Sequence, residues 1–337
     1  DLKYERTVSY ELGTDFRMFK GRYTLDLTVY KSNSFNQILE VPIDPSSGYS
    51  GQIINAGDVR NRGVEVSASA KILSSAERFN WRTYGNMSYN ESKIMSLPYE
   101  DGRVVLSTIF GSRGTVEARL GGEYSAMYGY GYARNNAGQI IYEGGLPKAS
   151  GELLYLGNAT APTKAAWGNE FSYKGFRLNI LFDGQWGGVG YSLTHAVLME
   201  EGKLKKTIPG RYNGIIGNGV VDNGDGTYSP NTTMVSAQPY YYAHFNRDNL
   251  ESNIFSTDFI KLREARLDYT LPSQVIRKLG LQKMSVGIYG RDLFVFSNWP
   301  AFDPEFGSLN SSGIQKGAEV AQLPSTRNIG FNLSVNF

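Results

Sequence analysis

The chain has 337 residues, with 34 Lys and Arg against 32 Asp and Glu, 2 His and no Cys. A net charge of +2 excludes a strongly basic nucleic-acid binder. The lack of Cys excludes disulfide scaffolds, thiolate nucleophiles, Fe–S clusters and Cys-based zinc sites.

Aromatic residues make up 13% of the chain and Gly contributes 39 positions, a composition that points to an all-β protein. No stretch approaches 18 consecutive apolar residues, so membrane-spanning helices are excluded. A barrel strand shows lipid only at every second residue and escapes that test. The chain opens on Asp1-Leu2-Lys3-Tyr4 and carries no basic n-region or apolar h-region of a secretory signal.

Period-two alternation dominates. It predicts nine long strands at about 5–19, 22–38, 60–73, 80–95, 163–174, 175–188, 258–271, 282–296 and 325–337. In the second, Tyr23, Leu25, Leu27 and Val29 share a face. In the third, Val64, Val66, Ala68, Ala70 and Ile72 oppose Glu65, Ser67, Ser69 and Lys71. The sixth carries Phe176, Leu178, Ile180 and Phe182 on one side. The last sets Ile329, Phe331, Leu333, Val335 and Phe337 against Asn328, Gly330, Asn332, Ser334 and Asn336. A helix would scatter both sets. Soluble strands usually run about 5–6 residues, whereas a tilted membrane strand needs roughly 9–11.

The connections alternate in length. Short ones fall at Phe19–Arg22, Ser74–Asn80, Tyr173–Phe176 and Pro272–Gln282, the last including SQVIRKLG, which suits one helical turn. Long ones span about 39–59, 96–162, 189–257 and 297–324. Short turns on one rim and long loops on the other is the pattern of an outer-membrane barrel. Nine strands is an odd number, and bacterial single-chain barrels have an even one. The expectation is therefore the C-terminal portion of a larger transmembrane antiparallel β-barrel, filling residues 1–337.

Candidate chemistry is sparse. His195 and His244 lie apart in one loop, where loop hydrogen bonding is the expected role. There is no G-x-S-x-G, phosphate-binding loop or H-E-x-x-H. No catalytic residue and no cofactor is expected. Asp222-Asn223-Gly224-Asp225-Gly226 clusters oxygens in the manner of a calcium loop, with Asp222 and Asp225 as candidate ligands. The EF-hand order is not met, and Asn-Gly and Asp-Gly are common turn pairs, so a tight turn is the favoured reading.

Strand-end aromatics Tyr30, Tyr89, Trp81, Trp167, Tyr173, Trp186 and Tyr269 suit interfacial girdles. Loop aromatics Tyr128, Tyr130, Tyr132, Tyr240, Tyr241, Tyr242, Trp299 and Phe302 are candidates to stack on sugar rings or pack around peptide side chains. Packing of loop on loop is the alternative. Glu65, Lys71, Arg82, Glu170, Arg177, Asp183, Glu264, Arg266 and Asp268 fall on the polar face and would line a lumen.

DFIKLREARLDYTLP at 258–272, Leu279-Gly280-Leu281, GIYGRDLFVFS at 287–297 and WPAFDPE at 299–305 resemble the C-terminal barrel of SusC-like TonB-dependent transporters. GNATAPTKAAWGNEFSYKGFRLNILFDGQWGG at 157–188 resembles the preceding family segment, and YGYGYARNNAGQIIY at 128–142 is a looser match. Arg291-Asp292-Leu293 departs from the family, which usually shows Asn before the Leu, and the change bears on a local hydrogen bond.

The resemblance implies a plugged 22-stranded barrel in the outer membrane of a Bacteroidota-type Gram-negative cell. It implies active import of an oligosaccharide or oligopeptide, a SusD-like surface lipoprotein, and energy from a TonB–ExbB–ExbD complex acting through an N-terminal region. It leaves open a dimer of the transporter–lipoprotein pair. Contact with outer-membrane lipid, and none with nucleic acid, follows from the same reading. The terminal Phe337 is similar to the signal by which such barrels are recognised for insertion. Two alternatives are a passive porin-like channel and a soluble all-β glycan-binding or hydrolase module. A hydrolase would need paired carboxylates facing one cleft.

Overall fold

The computed structural model describes residues 2–49, 51–75, 79–109, 113–277, 280–306 and 317–337. Leu279 of the Leu-Gly-Leu stretch lies outside them. Nine long antiparallel strands form one sheet in chain order: β1 Arg6–Met18, β2 Tyr23–Phe35, β3 Asp58–Leu73, β4 Asn80–Ser96, β5 Thr163–Tyr173, β6 Phe176–Trp186, β7 Phe259–Thr270, β8 Lys283–Ser297 and β9 Asn328–Asn336. These bounds fall within three residues of the predicted ones, because strict alternation over so long a run admits no other regular structure. Each strand pairs only with its sequence neighbours in the sheet, leaving β1 and β9 with one partner each.

The short connections are tight. Phe19, Lys20 and Gly21 turn β1 into β2 with φ of 51°, 57° and 77°. Lys174 and Gly175 turn β5 into β6 with φ of 46° and 85°. Ser273–Ile276 forms the expected helical turn between β7 and β8.

The register is staggered. One row of cross-strand partners runs Met18, Tyr23, Ala70, Thr83, Asn169, Ile180, Ala265, Gly290, Ile329. It begins at the short-turn end of β1 and finishes near the loop end of β9. Strands that slide past one another in this way tilt against a common axis, which is the shear a barrel wall requires.

Among the described residues, none packs over the apolar face of this sheet. Leu12 is 74% exposed and Phe331 84%, and Val29, Val64, Met87, Trp167, Leu267 and Ile288 are exposed on the same face. The buried clusters lie elsewhere. One gathers Leu39, Val41 and Ala56 with Val59, Ile94, Val104, Leu106 and Ala118. A second holds Ile109, Val116, Met127, Tyr191, Ala196 and Leu250. A third joins Met199, Ala237 and Tyr241. All belong to the long connections or to the strand ends that feed them. A soluble sandwich would bury its strand faces against a second sheet about 10 Å away.

The long connections are structured rather than bare. The 39–59 stretch carries a hairpin of Ile38–Pro42 with Gly51–Asn55. The 96–162 stretch folds into a four-stranded sheet of Arg103–Ile109, Gly114–Arg119, Ala126–Gly129 and Leu154–Asn158. The 189–257 stretch holds helices α1 Leu193–Glu200 and α2 Ala237–Phe245. Ser192 caps α1 by accepting from the His195 amide.

The outward aromatics divide by height. Phe19 and Tyr23, Phe79 and Phe171, Trp81 and Phe171, and Phe176 and Tyr269 pair at the short-turn rim, with ring centroids 4.5–5.9 Å apart. Tyr89 and Trp186 mark the loop rim through their common partner Thr163. Two expected girdle positions are corrected. Trp167 sits mid-strand, stacked on Phe182. Tyr30 lies on the polar face, donating to Asn90 Oδ1 at 3.0 Å. Its ring covers its cross-strand partner Gly63. Tyr84 covers Gly168 and Tyr289 covers Gly330 in the same way. Each glycine leaves room for the neighbouring ring to lie along the wall, an arrangement that pins strand register.

Candidate functional site: the polar wall and the loops above it

On the polar face, β7 carries a bulge. Leu262 faces Phe294 and Glu264 faces Arg291, so Arg263 has no partner on β8. The extra residue re-aims the side chain onto the polar face. There Arg263 donates from Nε and Nη2 to Asp183 at 2.7–3.0 Å, from Nη1 to Asp292 Oδ1 at 2.9 Å, and from Nη2 to both oxygens of Glu305 at 2.9 Å. Lys261 Nζ meets Asp303 at 2.7 and 2.8 Å and also bonds Glu305. Four segments thus converge: β6 through Asp183, the β7 start, the Arg-Asp-Leu turn and the Trp-Pro-Ala-Phe-Asp-Pro-Glu loop. Asp292 reaches its place through a φ of 52°, where an Asn would also accept from Arg263 but without the charge.

Burial alone would raise the Asp303 carboxyl. Hydrogen bonds from Lys261 and Ser325 outweigh it and hold the group below the usual carboxylate range. Farther along the wall Arg266 pairs with Asp268, Arg291 with Glu264 and Arg177 with Glu170. Asp26, Thr28, Glu65, Ser88, Lys164 and Gln185 line a shallow polar hollow closed on one side by Glu305. This wall is mixed in charge. Among the described residues it brings no nucleophile into contact with a base.

The loop aromatics meet different fates. Tyr128 lies under Arg119, whose guanidinium carbon is 3.5 Å from the ring centroid, and contacts Tyr155. Tyr241 is buried and donates to the Pro209 carbonyl. Trp299 is buried between Phe306 and Phe255. Tyr240 packs on His244 at 4.5 Å. In these four the structure favours loop-on-loop packing over a free stacking face. Tyr130, Tyr242 and Phe302 remain exposed. Tyr130 borders a hollow with Lys148, Asn246, Asp248 and Asn249.

His244 is held between two hydroxyls. Tyr132 donates to the His244 carbonyl at 2.9 Å, so its oxygen receives Nδ1–H at 3.0 Å. Nε2 then accepts from Tyr142 at 3.0 Å. Burial lowers the His244 pKa to about 4 and pushes the Tyr132 hydroxyl up to about 12. His195 rests on Asn253 Oδ1 at 2.9 Å and is also lowered by burial. Both histidines are loop fasteners, as expected of them.

Asp222 Oδ1 accepts the Gly224 amide, and Asp225 Oδ1 accepts the amide and hydroxyl of Thr227. The two carboxylates shape the tip of the Val220–Asp222/Tyr228–Pro230 hairpin. Among the described residues no three His, Cys, Asp or Glu come together as a metal site. One element escaped the sequence reading altogether. Glu319, fully enclosed, accepts from Ser192 Oγ at 2.8 Å and from the amide and hydroxyl of Thr194, tying 317–322 to the start of α1. A lone Glu in a loop gives no sequence signal for such a role.

Comparison with known proteins follows the same lines. Residues 1–108 match the model of the TonB dependent receptor-like β-barrel family. Two TonB-dependent receptors of Formosa agariphila align over the whole chain, at 27% and 25% identity, covering 36% and 34% of their own length. The TonB-dependent receptor SusC of Bacteroides thetaiotaomicron aligns over 52% of the chain and 17% of its own length, at 26% identity. The chain spans about a third of the length of the first two curated relatives. Among solved structures, the RagAB peptide transporter superposes with a TM-score of 0.71 at 17% identity, over 99% of this chain and 35% of that one. The RagAB peptide importer in its closed-closed state gives 0.72 at 17%, over 100% and 36%. These two share the fold.

Proposed function

We propose that this chain, which belongs to the SusC-like TonB-dependent transporters, forms part of the wall of an outer-membrane barrel that imports a large nutrient. The nine-stranded sheet closes with further strands into a plugged barrel. Open sheet edges are not tolerated in hydrocarbon, so β1 and β9 both need partners. The whole of residues 1–337 is one portion of that barrel. Substrate, an oligosaccharide or an oligopeptide, binds between the loops, the plug and a SusD-like lipoprotein. A TonB–ExbB–ExbD complex acts through the plug to open a path along the polar wall. The cell is of the Bacteroidota type. No bond of the substrate is broken.

The observation that carries this reading is the bare apolar face of β1–β9 with every buried cluster displaced into the loops. Such a face is stable only against lipid. The staggered register supports the same conclusion independently. Within the loops, Tyr130, Tyr242 and Phe302 are the candidates to touch substrate, because their rings stay open.

Growth and uptake in a deletion strain, on a panel of glycans and peptides as sole nutrients, tests the import role. Loss on one substrate class, restored by the intact gene, supports it. Unimpaired growth and uptake on every substrate counts against it.

A further inference from the structure

The lipid-facing surface changes character at one place on the loop rim. The belt row Leu12, Val29, Val64 and Tyr89 is in register across β1–β4. Two residues farther along, the same face presents Tyr10, Lys31, Arg62 and Glu91. The next row presents Val8, Asn33, Arg60 and Lys93. Alternation fixes the outward direction of Arg60 and Lys93, because their neighbours Val59 and Ile94 are buried in the loop core.

Like charges therefore stand directly opposite each other twice, as Lys31 on Arg62 and Arg60 on Lys93. Side chains so paired lie about 5 Å apart, and like charges there are destabilising. Among the described residues only Glu91 forms an ion pair with them, bonding Arg62 Nη2 at 2.7 Å. Lys31, Arg60 and Lys93 have no ion-pair partner among the described residues. On β8 the outward face at this rim is apolar, with Phe294 and Phe296 exposed.

Resting on the membrane reading above, we propose that the outward loop-end surface of β2–β4 binds the phosphorylated headgroup of an outer-leaflet glycolipid. Four cations against one carboxylate supply the charge that a phosphomonoester lacks. Its oxygens bridge the opposed side chains with charge-assisted hydrogen bonds and remove their repulsion. The apolar row immediately beneath receives the acyl chains, so headgroup and tail chemistry are continuous on one surface.

The test uses the full-length protein extracted from outer membrane in mild detergent. Native mass spectrometry follows binding of a bis-phosphorylated outer-leaflet glycolipid and of the same lipid after removal of its phosphates. The phosphorylated lipid binds the wild type about tenfold more tightly than it binds Lys31→Gln/Arg60→Gln/Lys93→Gln. The dephosphorylated lipid does not distinguish the two proteins. Heat-modifiable migration in electrophoresis verifies that the variant forms an inserted barrel. An inserted triple variant that binds like the wild type overturns the site, as does equal binding of both lipids. Recovery of the wild type in the soluble fraction overturns the membrane reading itself, and the site with it.

Discussion

The guanidinium of Arg263 lies 2.7 Å from the Asp183 carboxylate on the adjacent strand, and it reaches that place because a bulge gives it no partner on β8. The same guanidinium holds Glu305, and Lys261 shares its Oε2. Loop 299–306 is therefore fastened to the wall by two cations. Lys261 is the buried one.

Lys261→Met removes the cation facing Asp303 and Glu305 and leaves the first of these carboxylates buried without its partner. The expected cost is about 3 kcal/mol, concentrated in the loop rather than the barrel. Hydrogen exchange should quicken in 299–306 and stay unchanged in β1–β4.

The three tyrosine-over-glycine pairs differ in what a methyl group would strike. At Gly63 it would lie 2.4 Å from the Tyr89 carbonyl oxygen, which is backbone and cannot swing away. At Gly168 all three nearest atoms, the closest at 2.3 Å, belong to the Tyr84 side chain. Gly63→Ala should cost about 3 kcal/mol and Gly168→Ala about 1. Tyr84→Ala should relieve the Gly168 change, and Tyr30→Ala should not relieve the Gly63 one. Double-mutant cycles on urea unfolding in detergent measure both couplings.

The histidines give the loops a pH dependence of definite sign. His244 titrates at about 4 when folded, below its usual 6.5. The unfolded loop therefore takes up the proton first as pH falls. The stabilisation of neutral His244 is complete above about 6.5 and declines through the folded pKa, by about 3 kcal/mol in all. His195, lowered in the same direction, adds to the loss. Protection factors in 237–253, with the pH dependence of intrinsic exchange divided out, should fall steeply from pH 7 to pH 4, and His244→Gln should flatten the curve.

A charge on the outward face should be far worse than one on the polar face beside it. Ile180 faces outward in the row that includes Asn169 and Ala265, and Asn179 faces the polar side between Glu170 and Arg266. Ile180→Arg should cost about 2–4 kcal/mol, while Asn179→Arg should be tolerated. Yield of heat-modifiable barrel separates the two.

Much of this architecture is legible in the sequence, and the part that is not has physical reasons. Period-two alternation fixes a strand wherever one face is apolar, so β3 and β9 can be read directly. The motifs that carry the family resemblance lie between 128 and 305, whereas the family model matches 1–108, where the sequence shows alternation alone. A bulge displaces the pattern by one residue, which hides the role of Arg263. Tyr30 reads as a girdle residue until its partner Gly63 is known. The burial of Trp299 and Tyr241 depends on Phe306, Phe255 and Pro209, partners that local spacing cannot supply.

These 337 residues hold no Cys, so once any cysteine elsewhere in the full-length protein is replaced by Ser, single cysteines test directly the account's central claim, that alternate residues of one strand face lipid and water. Leu25→Cys, Asp26→Cys, Leu27→Cys and Thr28→Cys are each labelled with a fluorophore in the full-length protein, reconstituted in bilayers of brominated lipid. Quenching should be strong at 25 and 27 and weak at 26 and 28. Uniform quenching, or none at any of the four, would contradict a wall set in a bilayer.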